Sequence, residues 1–173
     1  NLLVDFESGN QCTVVNAALS ASLAESDVGW GGGSFINEVN DSLSCYGEWY
    51  HGLAFTGGPK GWAGEPCGWR QITVDYGTER TLLSPVTAYH HGADHTPEQV
   101  RIEVFQDGQW REVFATDHGK SMMLPDVCPV GSIPVEHEIG TQRASKLRYS
   151  LNNCDMPGDG HGWLYELTTP ACE

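Results

Sequence analysis

Alternating apolar and polar residues predict several β-strands in the middle of the chain. Apolar side chains occupy every second position of residues 100–104, which places them on one face of an extended strand. Asp107-Gly108 follows at once and predicts a tight hairpin turn, with a return strand over residues 110–114. The pattern therefore predicts a β-hairpin with one buried face.

Further strands are predicted on both sides of this hairpin, over residues 71–76, 83–89, 146–151 and 163–167. One weak helical pattern covers residues 17–25. Stretches 29–68, rich in glycine and aromatic residues, and 120–140, with three prolines, are predicted to be loops. No internal repeat and no boundary divides the chain, so we expect one all-β domain over residues 1–173.

The order of motifs in the central segment is that of a known family. Val74-Asp75-Tyr76-Gly77 matches a "V-D-L-G" turn, residues 86–89 match a "V-x-x-Y" strand, and residues 100–110 match a "V-x-V-x-x-S-x-D-G-x-W" hairpin. The segments "NAALSASLA", "RASKLRYSLNNC" and "GHGWLYELTT" fit the family's opening and closing strands. Over a little more than half of its length, the chain resembles discoidin or coagulation-factor type C domains and related carbohydrate-binding modules.

This resemblance implies a galactose-binding-domain-like jelly-roll β-sandwich of two antiparallel sheets, with the chain termini close together. It also implies that loops at one end of the sandwich bind a ligand, which in this family is usually a sugar. The chain departs from the family in a long insert rich in Trp and Gly, residues 45–69, where the usual ligand residues have no clear counterparts.

Six cysteines without a C-x-x-C pair favour three disulfides and an oxidising compartment. The alternative is six buried thiols in a cytosolic protein. Six cysteines allow about 15 pairings, and the residues alone do not choose among them. The close termini implied by the resemblance would pair Cys12 with Cys172. Cys45 would pair with Cys67 to tie the insert, and Cys128 would pair with Cys154 to join the two later loops.

Composition and charge argue against disorder and against several classes of partner. Hydrophobic residues make up 39% of the chain, which argues against disorder, and no apolar run is long enough to insert into a membrane. A net charge of −14 disfavours nucleic acid and anionic membrane surfaces. The charge fits a secreted, extracellular protein and is compatible with bound divalent cations. Residues 1–5 contain no basic region and no cleavage signature, so we expect this N-terminus to be a processed or trimmed end.

Aromatic residues in the glycine-rich stretch are the first candidate site. Sugar faces stack on aromatic rings while hydroxyls need fixed polar partners, so this stretch predicts ligand-binding residues Trp30, Trp49, Tyr50, His51 and Trp62. The alternative is that several of these rings fill the sandwich. Trp69, Trp110 and Trp163 are expected in the core.

Polar residues in two later loops are further candidates. His90, His91 and Asp94, with Arg101 or Arg148 nearby, are predicted to bind sugar hydroxyls. Alternatively, Asp94 caps a polar turn, or residues 90–95 bind a transition metal. A second loop offers Asn153, Asp155 and His161 as contacts to sugar or calcium, or it is a solvated turn anchored by a disulfide.

A structural calcium ion is implied by the resemblance. Its ligands here would be Asn37, Asn40 and Asp41, together with Glu166 of the last long strand. Asn37 stands where the family usually has Asp, which lowers the charge of the site, and a polar surface turn is the alternative. Asn40-Asp41-Ser42 is also an N-glycosylation sequon, and a glycan there would block metal binding.

Taken together, the sequence predicts a non-catalytic, calcium-stabilised lectin or carbohydrate-binding module whose partner is a glycan or polysaccharide. The first alternative is a structural or adhesive extracellular subunit of a filament, surface or matrix, which would self-associate through its aromatic loops. The second is a small secreted hydrolase, although the chain has neither a G-x-S-x-G nor an H-E-x-x-H motif.

Overall fold

The computed structural model describes residues 3–5, 11–25, 53–55, 68–92, 96–125, 132–152 and 162–173. Short 3-10 turns cover Ala17–Ser20 and Gly119–Met122. No helix in these ranges is long and apolar enough to cross a membrane. The strands are β1 Leu3–Asp5, β2 Gln11–Asn16, β3 Ser22–Glu25, β4 Leu53–Phe55, β5 Trp69–Leu82, β6 Val86–His91, β7 Gln99–Gln106, β8 Gln109–Thr116, β9 Ser132–His137, β10 Gln142–Asn152, β11 Gly162–Thr168 and β12 Pro170–Cys172.

These strands form two antiparallel sheets. The larger sheet has the order β1-β2-β12-β5-β10-β7-β8, and β3 also pairs with β5. The smaller sheet has the order β4-β11-β6-β9. This arrangement confirms the all-β jelly-roll sandwich predicted from the sequence.

The core lies between the two sheets because each long strand buries every second side chain. In β7, Val100, Ile102 and Val104 are at most 1% exposed, while Arg101 points to solvent, as the alternation predicts. The other long strands of both sheets contribute buried side chains to the core in the same way. Fully buried members of the core include Ile72, Val74, Leu82, Ala88, Leu147, Leu151, Leu164 and Leu167.

The predicted hairpin joins β7 to β8 through two residues. Asp107 has a φ of 51° and Gly108 a φ of 79°, so both residues occupy the left-handed region that a tight hairpin turn requires. Gln106 and Gln109 face each other directly across this turn. The Asp-Gly signal therefore fixes the register of the β7–β8 hairpin.

The ends of the chain are joined covalently and by main-chain pairing. The structure contains the disulfide expected between Cys12 and Cys172, which links β2 to β12. The backbones of Thr13 and Glu173 exchange two hydrogen bonds, of 2.9 Å and 3.0 Å. Strands from the two ends of the chain, β2 and β12, therefore lie side by side within the larger sheet. Cys45, Cys67, Cys128 and Cys154 lie outside the described residues.

Two predictions of secondary structure are wrong. The helix expected over residues 17–25 is a 3-10 turn followed by β3, because Ala21 takes an extended conformation and Ser22–Glu25 then pair with β5. The loop expected over residues 120–140 contains β9. Its Pro134 is tolerated because β9 is an edge strand and pairs only with β6 among the described strands.

We expect the Cys12–Cys172 bond to contribute about 3–5 kcal/mol to the free energy of unfolding, because it closes a loop with a sequence separation of 160. The double variant Cys12→Ser/Cys172→Ser should therefore unfold at a lower urea concentration than the wild type. Each single variant should lose as much as the double variant, since either one removes the bond. A double variant as stable as the wild type would contradict this expectation.

Candidate functional site

The two ends of the sandwich differ in the length of their connections. At one end, short turns join β5 to β6, β7 to β8 and β9 to β10. At the other end Asn152, the last residue of β10, lies opposite Trp69 and Gln99, the first residues of β5 and β7. His91 ends β6 at this same end, where it pairs with Ser132, the first residue of β9. We call this second end the loop end.

Most of the predicted ligand residues belong to segments that connect strands at the loop end. Strand β3 ends near it, β5 and β7 begin at it, and β11 begins beside it. The residues themselves lie outside the described ranges, so their role stays a prediction. They are Trp30, Trp49, Tyr50, His51, Trp62, Asp94, Asn153, Asp155 and His161, with the calcium candidates Asn37, Asn40 and Asp41.

Arg101 and Trp69 form a stacked pair at the loop end, on the outer face of the larger sheet. The Arg101 guanidinium lies over the Trp69 ring, 4.5 Å from its centroid. The Arg101 side chain is 55% exposed, and its Nε is 4.0 Å from a Glu112 carboxylate oxygen. Trp69 is half-buried, so its expected place in the core is wrong. Side chains alternate along β5, and those that point inward belong to even-numbered residues such as Ile72.

Arg148 forms a second stack farther from the loop end on the same face. Its guanidinium is 3.9 Å from the centroid of the Trp110 ring, and its Nη1 donates a hydrogen bond of 3.2 Å to Glu103. Trp110 is half-buried and packs edge-on against Phe105, so it too lies outside the core. Because Arg148 is already bound to a ring and a carboxylate, we assign it to the sheet surface and not to the ligand site.

A polar pocket of about 380 Å³ opens beside Arg101. The sequence did not predict this pocket. Its residues come from β7, from β8 and from the segment after β8, and only the pairing of β7 with β8 brings them together. The pocket is lined by Arg101, Glu112, Ala115, Thr116, Asp117 and His118. It combines cationic, anionic and hydroxyl groups, which suits hydrogen bonding to a polar ligand without strong net charge.

His90 is placed in the core and not in the ligand site. Its side chain is 0% exposed, and its Nε2 is 3.2 Å from the Tyr149 hydroxyl oxygen. A direct contact of His90 with a bound sugar therefore does not fit its place in the core, whereas metal binding by residues 90–95 stays a prediction, because residues 93–95 lie outside the described ranges. The reason is the alternation of β6, which turns Ala88 and His90 inward. His91, the next residue, ends the strand at the loop end.

His137 lies in the same buried polar cluster as His90 and Tyr149. Its ring is 4.9 Å from the Phe114 ring and 5.6 Å from the Tyr149 ring, between centroids. Neither ring nitrogen has a hydrogen-bond partner among the described residues. Burial, and next the nearby His90, lower the pKa of His137 to about 3, and burial raises the pKa of Tyr149. His137 is therefore neutral at physiological pH.

Glu166 is the calcium candidate that the structure describes. It lies on β11 opposite Tyr89 and is 0% exposed. Burial, followed by the negative charges of Glu166 and Glu136, raises the pKa of Tyr89. A fully buried carboxylate requires a compensating cation or hydrogen-bond donors, and its oxygens are the ligand type that calcium prefers. Glu166 thus fits a calcium site, although the described residues alone bring no three His, Cys, Asp or Glu side chains together as metal ligands.

Comparison with known proteins gives relatives by structure alone. No protein-family model matches the sequence, and no curated protein matches it. A chitosan-binding module 2 in complex with chitotriose, derived from a chitosanase/glucanase of Paenibacillus sp. IK-5, matches with a TM-score of 0.58 and 18% sequence identity. The match covers 89% of this chain and 98% of that chain.

Two structures from Clostridium perfringens are also similar. The module CpGH89CBM32-5, in complex with GalNAc-β-1,3-galactose, has a TM-score of 0.60 and 12% identity, over 91% of this chain and 99% of its own. The family 32 carbohydrate-binding module of NanJ, in complex with galactose, has a TM-score of 0.59 and 11% identity, over 91% of this chain and 98% of its own. At these identities the likeness shows a shared fold, the β-sandwich of carbohydrate-binding modules.

The buried His137 predicts that stability falls in mild acid. Its pKa is about 3 in the folded chain and about 6.5 when unfolded, so below about pH 6.5 only the unfolded chain takes up this proton. Stability is therefore fully present above pH 6.5 and is lost as the pH falls toward 3, by at most about 1.4 kcal/mol per pH unit.

Urea unfolding at pH 7.0, 6.0 and 5.0 measures this effect. His137→Phe keeps a ring in the site, and its stability should depend less on pH than that of the wild type. His118→Gln changes an exposed histidine, and its stability should depend on pH as that of the wild type does. Parallel curves for the wild type and His137→Phe would show that His137 does not contribute.

Proposed function

We propose that this protein binds a glycan at the loop end, without a catalytic step. The observation that carries the proposal is the strand register. It brings the ends of β5, β7 and β10 together, and the segments with the predicted aromatic and polar ligand residues connect to these and neighbouring strands. The loop end is therefore where we expect those residues to act on a common ligand.

The described rim of the loop end has the chemistry that a glycan needs. Trp69 offers a half-buried aromatic surface, and Arg101 stacks on it with its guanidinium open to solvent. Asn152 and Gln99 are linked by an amide hydrogen bond of 2.6 Å between the ends of β10 and β7. Aromatic rings bind the C–H faces of a pyranose, while guanidinium and amide groups bind its hydroxyls.

The structural comparisons support the same function. Modules of the same fold, similar over nearly their whole length, are known in complexes with chitotriose, GalNAc-β-1,3-galactose and galactose. A disulfide between the chain ends fits an extracellular environment, where such bonds persist. We therefore propose a secreted carbohydrate-binding module.

We further propose that a calcium ion stabilises this module. Glu166 would be one ligand, since its carboxylate is enclosed in the fold, and Asn37, Asn40 and Asp41 would supply further oxygen atoms. The role of the ion would be to neutralise Glu166 and hold the connecting segment in place. It would take no part in chemistry on the ligand.

A glycan array tests the function directly, with the purified protein applied once in calcium and once in EDTA. A defined set of bound glycans is expected in calcium. Removal of calcium should lower the melting temperature, and Glu166→Gln should reduce that calcium-dependent difference. Absence of binding to every glycan in both buffers would overturn the proposed function.

A variant pair tests the location of the site. Trp62→Ala, which changes the predicted aromatic stretch, should reduce binding to the glycans found on the array by about tenfold or more, in line with the loss of one stacked ring. Trp110→Ala is the matched control, because Trp110 stacks on Arg148 away from the loop end. Equal losses in the two variants would contradict a site at the loop end.

A further inference from the structure

We infer that the pocket beside Arg101 is a second sugar subsite, so that the protein binds a glycan chain and not only its terminal sugar. The chain would run from the loop end, across the Trp69–Arg101 pair, onto the outer face of the larger sheet. The inference rests on the proposed function, and it adds Glu112, Asp117 and His118, which neither the sequence pattern nor the structural comparisons assign.

Arg101 is held in position while its donors stay available. The Trp69 ring supports one face of the guanidinium at 4.5 Å, and Glu112 lies 4.0 Å from its Nε, beyond hydrogen-bond distance. A guanidinium has five N–H donors, and none of them meets an acceptor within the described part of the chain. The side chain therefore presents oriented donors without losing much conformational freedom on binding.

The other lining groups complement these donors. Glu112 and Asp117 are carboxylates that accept hydrogen bonds from hydroxyls, and the exposed His118 ring can donate or accept. The charged members sum to about −1 at neutral pH, which disfavours a uronate or sulfated sugar. A volume of about 380 Å³ falls within the range of small-molecule sites. The lining thus fits an uncharged pyranose.

The floor of the pocket is rigid. The register of β7 and β8 shifts between Ile102 and Glu103, and this bulge sets the position of Glu112. Beyond β8, the His118 backbone N–H donates to the Thr116 hydroxyl at 3.0 Å, and the Gly119 N–H donates to the Glu98 carbonyl at 2.7 Å. A side chain at position 119 would collide with the backbone of Pro97, so glycine permits this close approach.

The pocket is continuous with the loop end. Trp69 is the first residue of β5, and its ring reaches across β10 to Arg101 on β7, which also lines the pocket. Ser150, which lies opposite Arg101 on β10, is only 2% exposed, in agreement with a pair that lies over this part of the sheet. A glycan bound at the loop end would contact the Trp69–Arg101 pair first and the pocket next.

Calorimetric titration with oligosaccharides of increasing length tests the inference. The probes are galactose with its β-1,4 oligomers of two to four units, and chitooligosaccharides of one to six units. We expect affinity to rise with length for the series that binds. Asp117→Ala, which removes a carboxylate acceptor of the pocket and leaves the Trp69–Arg101 pair in place, should weaken binding of the longest oligomer by about tenfold and leave the monosaccharide or disaccharide unchanged.

Glu138→Ala is the matched control, because it removes one exposed carboxylate outside the pocket, in the short turn between β9 and β10. It should leave every affinity unchanged. Length-independent binding by the wild type, or equal loss for short and long probes in Asp117→Ala, would overturn the subsite while the proposed function stands. If the wild type binds no glycan on the array, the proposed function fails, and the subsite fails with it.

Discussion

The structure depends first on the pairing of β10 with β5 on one side and β7 on the other. Leu147, Tyr149 and Leu151 fill the core from this strand, while Arg148 and Ser150 face outward. A shift of register by one residue would exchange these two sets, so the buried face fixes the register. The same pairing aligns the ends of the three strands. The rim of the candidate site is thus a consequence of how the core is packed.

The interior is not uniformly apolar, and several of its buried polar residues lie near the loop end. Arg70, His90 and Ser132 are buried within two residues of strand ends there, and Glu166 is buried on β11. Such groups are costly unless they are paired, so partners inside the fold are needed at this end, as the Tyr149 hydroxyl is for His90. The other end is closed by short turns and by the Cys12–Cys172 disulfide. The two ends of the strands are therefore stabilised by different interactions.

Much of the fold was predictable from the sequence, because strand alternation and the Asp107-Gly108 turn are local signals. The outward positions of the tryptophans and their contacts with arginines were not predictable. Trp69 and Trp110 look like core residues from their type alone, yet alternation places them outward, where Arg101 and Arg148 cover them. These stacks join residues on different strands. Only the sheet order brings them together, and no spacing in the sequence encodes that order.

The site was predictable in outline and not in detail for the same reason. The loops were identified by composition. His90, however, lies one position from the end of its strand, where a shift of one residue decides whether a side chain faces the core or the solvent. β9 was missed because its proline argues against a strand unless the strand lies at an edge. Edge positions follow from the whole sheet, which local patterns do not report.

The distribution of charge limits what the loop end can bind. In the larger sheet, basic side chains are paired with acids, as in Lys146–Asp75, Arg143–Glu79 and Arg80–Glu173. The segments that connect strands at the loop end, with residues 26–52, 56–67, 93–98, 117–131 and 153–161, contain 11 of the 23 acidic and two of the nine basic residues.

An end of the molecule so rich in carboxylates has many hydrogen-bond acceptors and few donors. Sugar hydroxyls supply the missing donors without adding negative charge, and a calcium ion at Glu166 would reduce the repulsion among the acids. Arg101 then has a particular importance, because it brings a cation to the rim of an acidic site. Its support by Trp69 holds that cation where a neutral glycan can use it and where an anionic glycan would still meet the field of the surrounding carboxylates.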